Sequence, residues 1–307
     1  MKKIIMEVGL GIIFVMLVGV FQVRAEEPLH IVTYNRIDGG SKPVSQFESR
    51  GVDLKATYGI IEHHYFPPGE DALEYMKKRY MKKMTAKRKK VDLSIEDWKS
   101  KYKDEYKPVD ESFIDNLSKA KFLHFGQYCF RYSYYLFNKP KYANAISEFL
   151  KKGGTIYFDY NATSLALTQY LDSINVKNPA SGDSDTTCSG SYGATDVSSE
   201  YKNHPLVNHP HKITSGGRGY NWFWKNNCSK EQILLFTVSG DSREVAMVVQ
   251  ENVLGKGTII FTQLSPIFRN RYKKLLENIL SFAYGQDIRE YKMRLVEEAG
   301  GPGVMAE

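Results

Sequence analysis

Three side chains of this sequence are of types that could together perform hydrolysis: Asp159, Ser164 and His204. A serine hydroxyl becomes a nucleophile when a histidine removes its proton and a carboxylate orients that histidine. Such a serine usually stands in a Gly-x-Ser-x-Gly turn, which exposes it beside an oxyanion hole. Ser164 lacks both glycines and precedes a helical pattern, so helix N-capping explains it better. A hydrolase that uses Asp159 and His204 as acid and base, with or without a metal, is kept as an alternative.

A second group of side chains that could do chemistry is the set of histidines between residues 204 and 211. His204, His209 and His211 are separated by two prolines, and their spacing matches no standard metal-ligand pattern. We therefore predict no metal site. We also predict no organic cofactor, because Gly39-Gly40 lacks the spaced third glycine of a dinucleotide-binding turn.

The cysteines are Cys129, Cys188 and Cys228. Cys188 and Cys228 lie in polar, glycine-rich sequence, and in an oxidising compartment this predicts a disulfide between them. Cys129 would then be the odd thiol, and its place after a predicted strand favours a packed or loop position.

An αβα unit from Lys141 to Leu171 positions the candidate residues. Apolar residues at helical spacing predict a first helix that begins near Pro140 and ends at Gly153-Gly154. The β-branched and aromatic run Thr155–Tyr160 predicts a central strand, and a second helix carries Leu165 to Leu171. The turn Asp159–Ser164 then lies at the carboxyl end of a strand, where ligands usually bind in open α/β sheets.

The rest of the chain shows strand and helix patterns in alternation, followed by turn signals. Residues 178–201 are rich in Ser, Gly, Asp and Thr and are predicted to form a long loop. The two strands before the last helix are predicted to pair as an antiparallel hairpin, because Leu254-Gly255-Lys256-Gly257 forms a turn between them. The predicted strands are 29–36, 58–63, 121–128, 233–238, 246–250 and 258–262, and the further helices are 112–117 and 272–284.

The N-terminal segment predicts export. Lys2 and Lys3 precede an apolar run, Val8–Val20, and the small residues up to Ala25 resemble a signal-peptidase site. The run is short for a membrane span, so we expect cleavage after Ala25, no stable span afterwards, and a periplasmic or extracellular protein. Retention as an anchor is the alternative. The formal net charge of +7 is mild, and export argues against a nucleic-acid partner.

After the predicted signal peptide, residues 1–25, the chain consists of a domain that contains an insertion, followed by a tail. Residues 26–285 are predicted to form one α/β domain, which residues 70–107 interrupt, and residues 286–307 form a charged and then disordered tail. The interruption carries nine Lys and Arg residues between positions 77 and 90. It has two interpretations: a docking arm for an acidic partner such as an acidic glycan, or a solvated helical insertion.

Three stretches resemble a known superfamily in their order along the chain: FLKKGGTIYFDYN (149–161), His204-Pro205-Leu206, and ENVLGKGTIIFTQLSP (251–266). They resemble the class I glutamine amidotransferase-like superfamily, in its non-glutaminase branch of trehalose-utilisation-like proteins and exported bacterial domains of unknown function. The resemblance covers most of residues 29–284 except the insertion. It implies a flavodoxin-like three-layer α/β sandwich with a mostly parallel sheet and a C-terminal antiparallel hairpin.

The glutaminase machinery of that superfamily is missing from the sequence. A glutaminase needs a cysteine on the elbow after the strand, activated by a histidine and a carboxylate. The elbow here reads Asp159-Tyr160-Asn161-Ala162-Thr163-Ser164, and no His-x-Glu element follows near the C-terminus. We therefore expect no glutaminase activity, whether or not another reaction occurs.

The resulting expectation is a ligand-binding or accessory role, related to carbohydrate by analogy with the resembled proteins. An assembly protein that docks through the basic insertion is a further alternative. We expect a cleft between residues 126–128, residues 159–164 and His204, because ligands bind at the carboxyl ends of strands. The predicted binding residues are Gly126, Gln127, Tyr128, Asp159, Asn161 and Thr163.

Overall fold

The computed structural model describes residues 29–34, 61–66, 111–125, 136–159, 165–181, 188–239, 241–264 and 273–289. The predicted signal segment 1–25, the predicted insertion 70–107 and residues 290–307 lie outside these residues. Among the described residues, no helix is long and apolar enough to cross a membrane. The strands are β1 (Leu29–Tyr34), β2 (Ile61–Phe66), β3 (Phe122–Phe125), β4 (Thr155–Asp159), β5 (Cys188–Val197), β6 (Ser215–Trp224), β7 (Ile233–Val238), β8 (Asp241–Val253) and β9 (Gly257–Thr262). The helices are α1 (Glu111–Lys119), α2 (Pro140–Lys151), α3 (Leu165–Ser173), α4 (Pro205–Asn208) and α5 (Lys273–Tyr284).

A single nine-stranded sheet contains all of these strands, in the order β2-β1-β3-β4-β9-β8-β6-β5-β7. The first five are parallel to one another, whereas β8, β6, β5 and β7 pair antiparallel. Four of the described pairings are parallel and five are antiparallel, so the sheet is mixed rather than mostly parallel as predicted. The difference arises because β5 and β6, which were not predicted as strands, add antiparallel pairings to the sheet.

Helices cover both faces of the parallel strands, which gives a three-layer α/β arrangement. Ile156 and Phe158 face the core beneath α1, α2 and α3, whereas Tyr157 faces the core beneath α5. This alternation follows from the two-residue period of a strand. Every residue of β3 and β9 is buried, as expected for parallel strands that are covered on both faces.

The predicted αβα unit is confirmed as α2, β4 and α3. At the end of α2, the N–H of Gly154 donates to the carbonyl of Phe149 and the N–H of Gly153 donates to that of Leu150, both at 2.9 Å. This is a Schellman cap, and the φ of +89° at Gly153 provides its left-handed residue. A Cβ on Gly154 would lie only 2.4 Å from the Phe149 ring, so the second glycine allows close packing.

The predicted loop 178–201 is wrong, because β5 lies within it. Small residues occur there since the antiparallel strands pack closely: a Cβ on Gly193 would lie 2.8 Å from Val238. On β6, a Cβ on Gly216 would lie 2.6 Å from the Thr195 hydroxyl oxygen. β5 pairs with β6 and β7, and β8 pairs with the same two strands, so the four strands form a closed circuit. The small residues that predicted a loop here are instead required by the close packing of the antiparallel strands.

Candidate functional site

The carboxyl ends of the parallel strands form the edge at which the sequence predicts the binding site. Tyr34, Phe125 and Phe158 are in register across β1, β3 and β4, and Asp159 is in register with Thr262 of β9. The backbone of Asp159 thus lies at this edge. The side chain of Asp159 lies outside the described residues, as do Gly126, Gln127, Tyr128, Asn161, Thr163 and Ser164.

A row of aromatic rings supports this edge from the face that α1–α3 cover. The ring centroids of Tyr34 and Phe125 lie 5.6 Å apart, those of Phe125 and Phe158 lie 4.8 Å apart, and those of Phe158 and Phe261 lie 5.3 Å apart. All four residues are buried, so the rings are packing groups rather than an open stacking surface for a ligand. They fix the relative positions of the four strand ends.

Hydrogen bonds to Thr262 fix the chain where it leaves β9. Its hydroxyl oxygen accepts a hydrogen bond from the N–H of Leu264 at 3.0 Å and donates to the carbonyl of Ala246 at 3.5 Å. The N–H of Gln263 donates to the same carbonyl at 2.8 Å. Residue 262 is fully buried. The strand beside Asp159 therefore ends on a rigid support.

His204 forms a defined pair with Glu251. Its Nδ1 accepts a hydrogen bond from the N–H of Leu206 at 3.3 Å, which caps α4, and its Nε2 lies 3.2 Å from Oε1 of Glu251. Because Nδ1 is an acceptor, a neutral His204 carries its proton on Nε2 and donates it to the carboxylate. The hydrogen bond from His204 lowers the pKa of Glu251 below its ordinary value of 4.5.

The structure does not bring Asp159 and His204 together, although the hydrolase alternative would require them to be close. Glu251 follows Gln250 on β8, and Gln250 is in register with Ile259 near the start of β9. The start of β9 lies beside the start of β4, because Thr258 is in register with Thr155. Glu251 is therefore near the first residues of β4. Asp159 is four residues further along β4, a distance of about 13 Å at the rise of a strand. His204 thus lies at the amino-terminal edge of the parallel strands, whereas Asp159 lies at the carboxyl edge.

The Glu251–His204 pair should contribute stability that depends on pH. Because the pKa of Glu251 is lower in the folded state, this contribution is present above the unfolded pKa and disappears as the pH falls through the folded pKa. Glu251→Gln should therefore lower the free energy of unfolding by about 1 kcal/mol at pH 7. Urea denaturation should show a larger difference at pH 7 than at pH 3. Glu148→Gln, which breaks an exposed pair with Lys151, is the control, and an equal effect in that variant would contradict the prediction.

Asn278 of α5 holds the histidine-containing segment in place. Its amide nitrogen donates to the carbonyls of Leu206 and His211, at 3.1 and 2.7 Å, and its side-chain oxygen accepts from the N–H of His211 at 2.9 Å. The His211 ring also pairs with Glu277. In the described ranges, no group of three or more His, Cys, Asp and Glu side chains could hold a metal ion. The histidines of this segment that have a described partner are therefore anchoring groups.

The predicted disulfide is wrong, since Cys228 carries a free thiol. Its sulfur donates to the carbonyl of Trp224 at 3.7 Å and packs against the core beneath α1–α3. Burial raises the pKa of this thiol to about 12. Cys188 lies opposite Phe223 on the neighbouring strand, and its side chain and all of Cys129 are outside the described residues.

Sequence reasoning missed the two partners that hold the His204–His211 segment, Glu251 and Asn278. Glu251 stands just before the turn 254–257, at the start of the stretch 251–266 that carries the resemblance, and neither pattern indicates a histidine partner. Asn278 offered a usable signal, because it is a polar residue among Leu275, Leu276, Ile279 and Leu280 on the buried face of a helix. A polar residue at such a position normally has specific hydrogen-bond partners.

Comparisons with known proteins match this chain to solved structures only. No protein-family model matches this sequence, and no curated protein matches it. Among solved structures, the chain is similar to a ThuA-like protein from Bacteroides uniformis, with 11% sequence identity and a TM-score of 0.44. The match covers 88% of this chain and 97% of the other. At this level of similarity, no residue role passes from that protein to this one.

Proposed function

We propose that this protein is exported and binds a small carbohydrate-related ligand at the carboxyl edge of its parallel strands, without glutaminase activity. In this proposal the protein is a flavodoxin-like domain of the amidotransferase-like superfamily. Export follows from the charged and apolar N-terminal segment. The choice of a carbohydrate follows from the resemblance to trehalose-utilisation-like proteins.

The observation that carries the proposal is the order of the parallel strands, β2-β1-β3-β4-β9. This is the order of flavodoxin-like domains, in which the chain winds first to one side of β1 and then to the other. Ligands bind outside the carboxyl ends of the strands at this reversal. Here the reversal lies between β1 and β3, which end at Tyr34 and Phe125, and the predicted binding residues Gly126–Tyr128 follow directly.

A binding role is favoured over the hydrolase alternative by the position of His204. A general base must lie within hydrogen-bond reach of its partner or of the proton that it removes. His204 is bonded to Glu251 at the opposite edge from Asp159. The elbow after β4 offers no cysteine nucleophile either. The remaining polar groups predicted at the carboxyl edge are suited to hydrogen bonding with hydroxyl groups.

Thermal-shift measurements of the purified protein against neutral mono- and disaccharides test this proposal. A ligand that binds only the folded state adds about 2.7 kcal/mol when its concentration is one hundred times Kd, which corresponds to several degrees in Tm for a domain of this size. We expect at least one sugar to raise Tm. Asp159→Ala and Asn161→Ala should each abolish most of that increase.

His204→Ala is the matched control, because it alters the opposite edge. It should lower the starting Tm but keep the increase on adding sugar. A sugar response that His204→Ala removes and Asp159→Ala keeps would contradict the proposed site, and the absence of a response across the panel would contradict carbohydrate binding. Release of ammonia from glutamine would contradict the proposed lack of glutaminase activity.

A further inference from the structure

Exposed lysines gather where β3, β4 and β9 begin. Lys121 directly precedes β3, and its carbonyl accepts a hydrogen bond from the N–H of Thr155, the first residue of β4, at 2.9 Å. Lys152 follows α2 at the same edge, and Lys256 directly precedes β9. A Cβ on Gly153 would lie 3.9 Å from the Cβ of Lys256. These contacts bring the starts of the three strands and their lysines to one surface.

Among the described residues, the lysines of this surface form no ion pair, although Lys152 acts electrostatically on Glu148. The neighbouring Lys151 pairs with Glu148 at 2.7 Å, whereas the other lysines are exposed. Lysines at the ends of helices favour the helix dipole, but Lys121 and Lys256 precede strands, so this effect does not explain them. The lysine surface consists of Lys119, Lys121, Lys152 and Lys256.

The turn between β8 and β9 adds an exposed leucine beside Lys256. Leu254 is 36% exposed and has a φ of +51°. The left-handed region is uncommon for residues other than glycine, and asparagine tolerates it much better than leucine does. Turn geometry alone therefore does not favour a leucine at this position. In the described residues, Leu254 and Leu165 are the large hydrophobic side chains that are exposed.

β1 begins at this same edge. β1 is parallel to β3, so Leu29, its first residue, lies at the amino-terminal edge of the sheet with the lysine surface. Only three residues separate Leu29 from Ala25, the last residue of the predicted signal segment. An extended chain spans at most about 14 Å over that distance. If the apolar segment is retained as an anchor, which is the alternative to cleavage after Ala25, the membrane lies close to this edge.

We propose that the lysine surface and Leu254 dock the protein on an anionic phospholipid bilayer. Lysine near an anionic bilayer is attracted whatever the local shape of the protein surface, and a short apolar side chain can enter the lipid interface. Protein-binding interfaces are instead enriched in arginine and aromatic residues and depleted in lysine. A surface made of lysines and one leucine thus fits lipid better than an acidic protein.

Sedimentation of the full chain with lipid vesicles tests this docking. Vesicles that contain phosphatidylglycerol should bind the protein at 0.1 M NaCl more strongly than phosphatidylcholine vesicles, and 1 M NaCl should remove the difference, because the Debye length falls from about 10 to about 3 Å. The double substitution Lys152→Gln and Lys256→Gln should weaken partitioning to the anionic vesicles about 25-fold, or roughly five-fold per lysine.

The matched control is the double substitution Lys139→Gln and Lys274→Gln, which removes exposed lysines at the N-cap of α2 and in the first turn of α5. All variants keep the apolar N-terminal segment, so its own affinity for lipid does not affect the comparison. Leu254→Asn should weaken binding about two- to five-fold while Tm stays equal or rises, because asparagine fits the positive φ. Equal binding to both kinds of vesicle, or equal losses in the two double variants, would overturn the proposal.

Discussion

Phe158→Ala is expected to lower the free energy of unfolding by about 3–5 kcal/mol. The Phe158 ring is buried in the middle of the aromatic row and stacks on Phe125 and Phe261, with interplanar angles of 20° and 12°. Alanine would leave a cavity between these two rings, in a core where three helices meet the sheet. The loss should appear in urea unfolding as a lower midpoint with an unchanged slope.

Leu165→Ala is the control for Phe158→Ala. Leu165 is the first residue of α3, six positions after the last residue of β4, and its side chain is 71% exposed. Its truncation should change stability by less than about 0.5 kcal/mol. Similar effects of the two substitutions would mean that the aromatic row does not support the carboxyl edge.

Asn278→Ala is expected to lower the free energy of unfolding by about 2–4 kcal/mol. The substitution removes three hydrogen bonds and leaves the carbonyl of Leu206 and both backbone groups of His211 without their partner. Residue 278 is fully buried, so water does not readily replace the amide. Native-state hydrogen exchange should also show faster exchange at the N–H of His211, because this segment opens locally.

Asn203→Ala is the matched control for Asn278→Ala, since Asn203 is exposed next to the same segment. It should leave both stability and the exchange rate at His211 nearly unchanged. If Asn278→Ala lowered stability without faster exchange at His211, the anchoring role of the amide would be wrong.

The parts of the fold that could be predicted are those with a strong local pattern. α2 is predicted by apolar residues at helical spacing, by Pro140 at its start and by the two glycines that form its C-terminal cap. β7 was predicted with its observed bounds, Ile233–Val238, because it is a short apolar run between polar turns. β2 lies three residues later than predicted, since a mixed run of aromatic and polar residues does not fix strand ends.

β5 could not be predicted, because its strand is encoded by partners that are distant in the sequence. Its glycines and serines carry the composition of a loop, and only the close approach of β7 and β6 explains them. β8 was predicted at Ala246–Gln250 but extends over Asp241–Val253. Its polar first residues are stabilised by pairing with β7 and β6 rather than by hydrophobicity.

For the candidate site, local sequence could place the strand end but not the side-chain partners. Strand alternation and the turn after Phe158 were sufficient to put Asp159 at the carboxyl edge. The partner of His204 was out of reach, because Glu251 is 47 positions away and meets it only through the register of β8 and β9. The three histidines had suggested a chemical role for residues 204–211. The hydrogen bonds of Asn278 show instead that this segment is anchored to α5.

The closed circuit of β5, β6, β8 and β7 has a consequence for the order in which the chain matures. Because these strands lie between β4 and β9 in the sequence, β4 has no neighbour on one side until about 100 further residues have followed it. A chain that emerges from its amino terminus therefore exposes an unpaired, apolar strand edge for all of that interval. That edge is covered only when β9 pairs with β4.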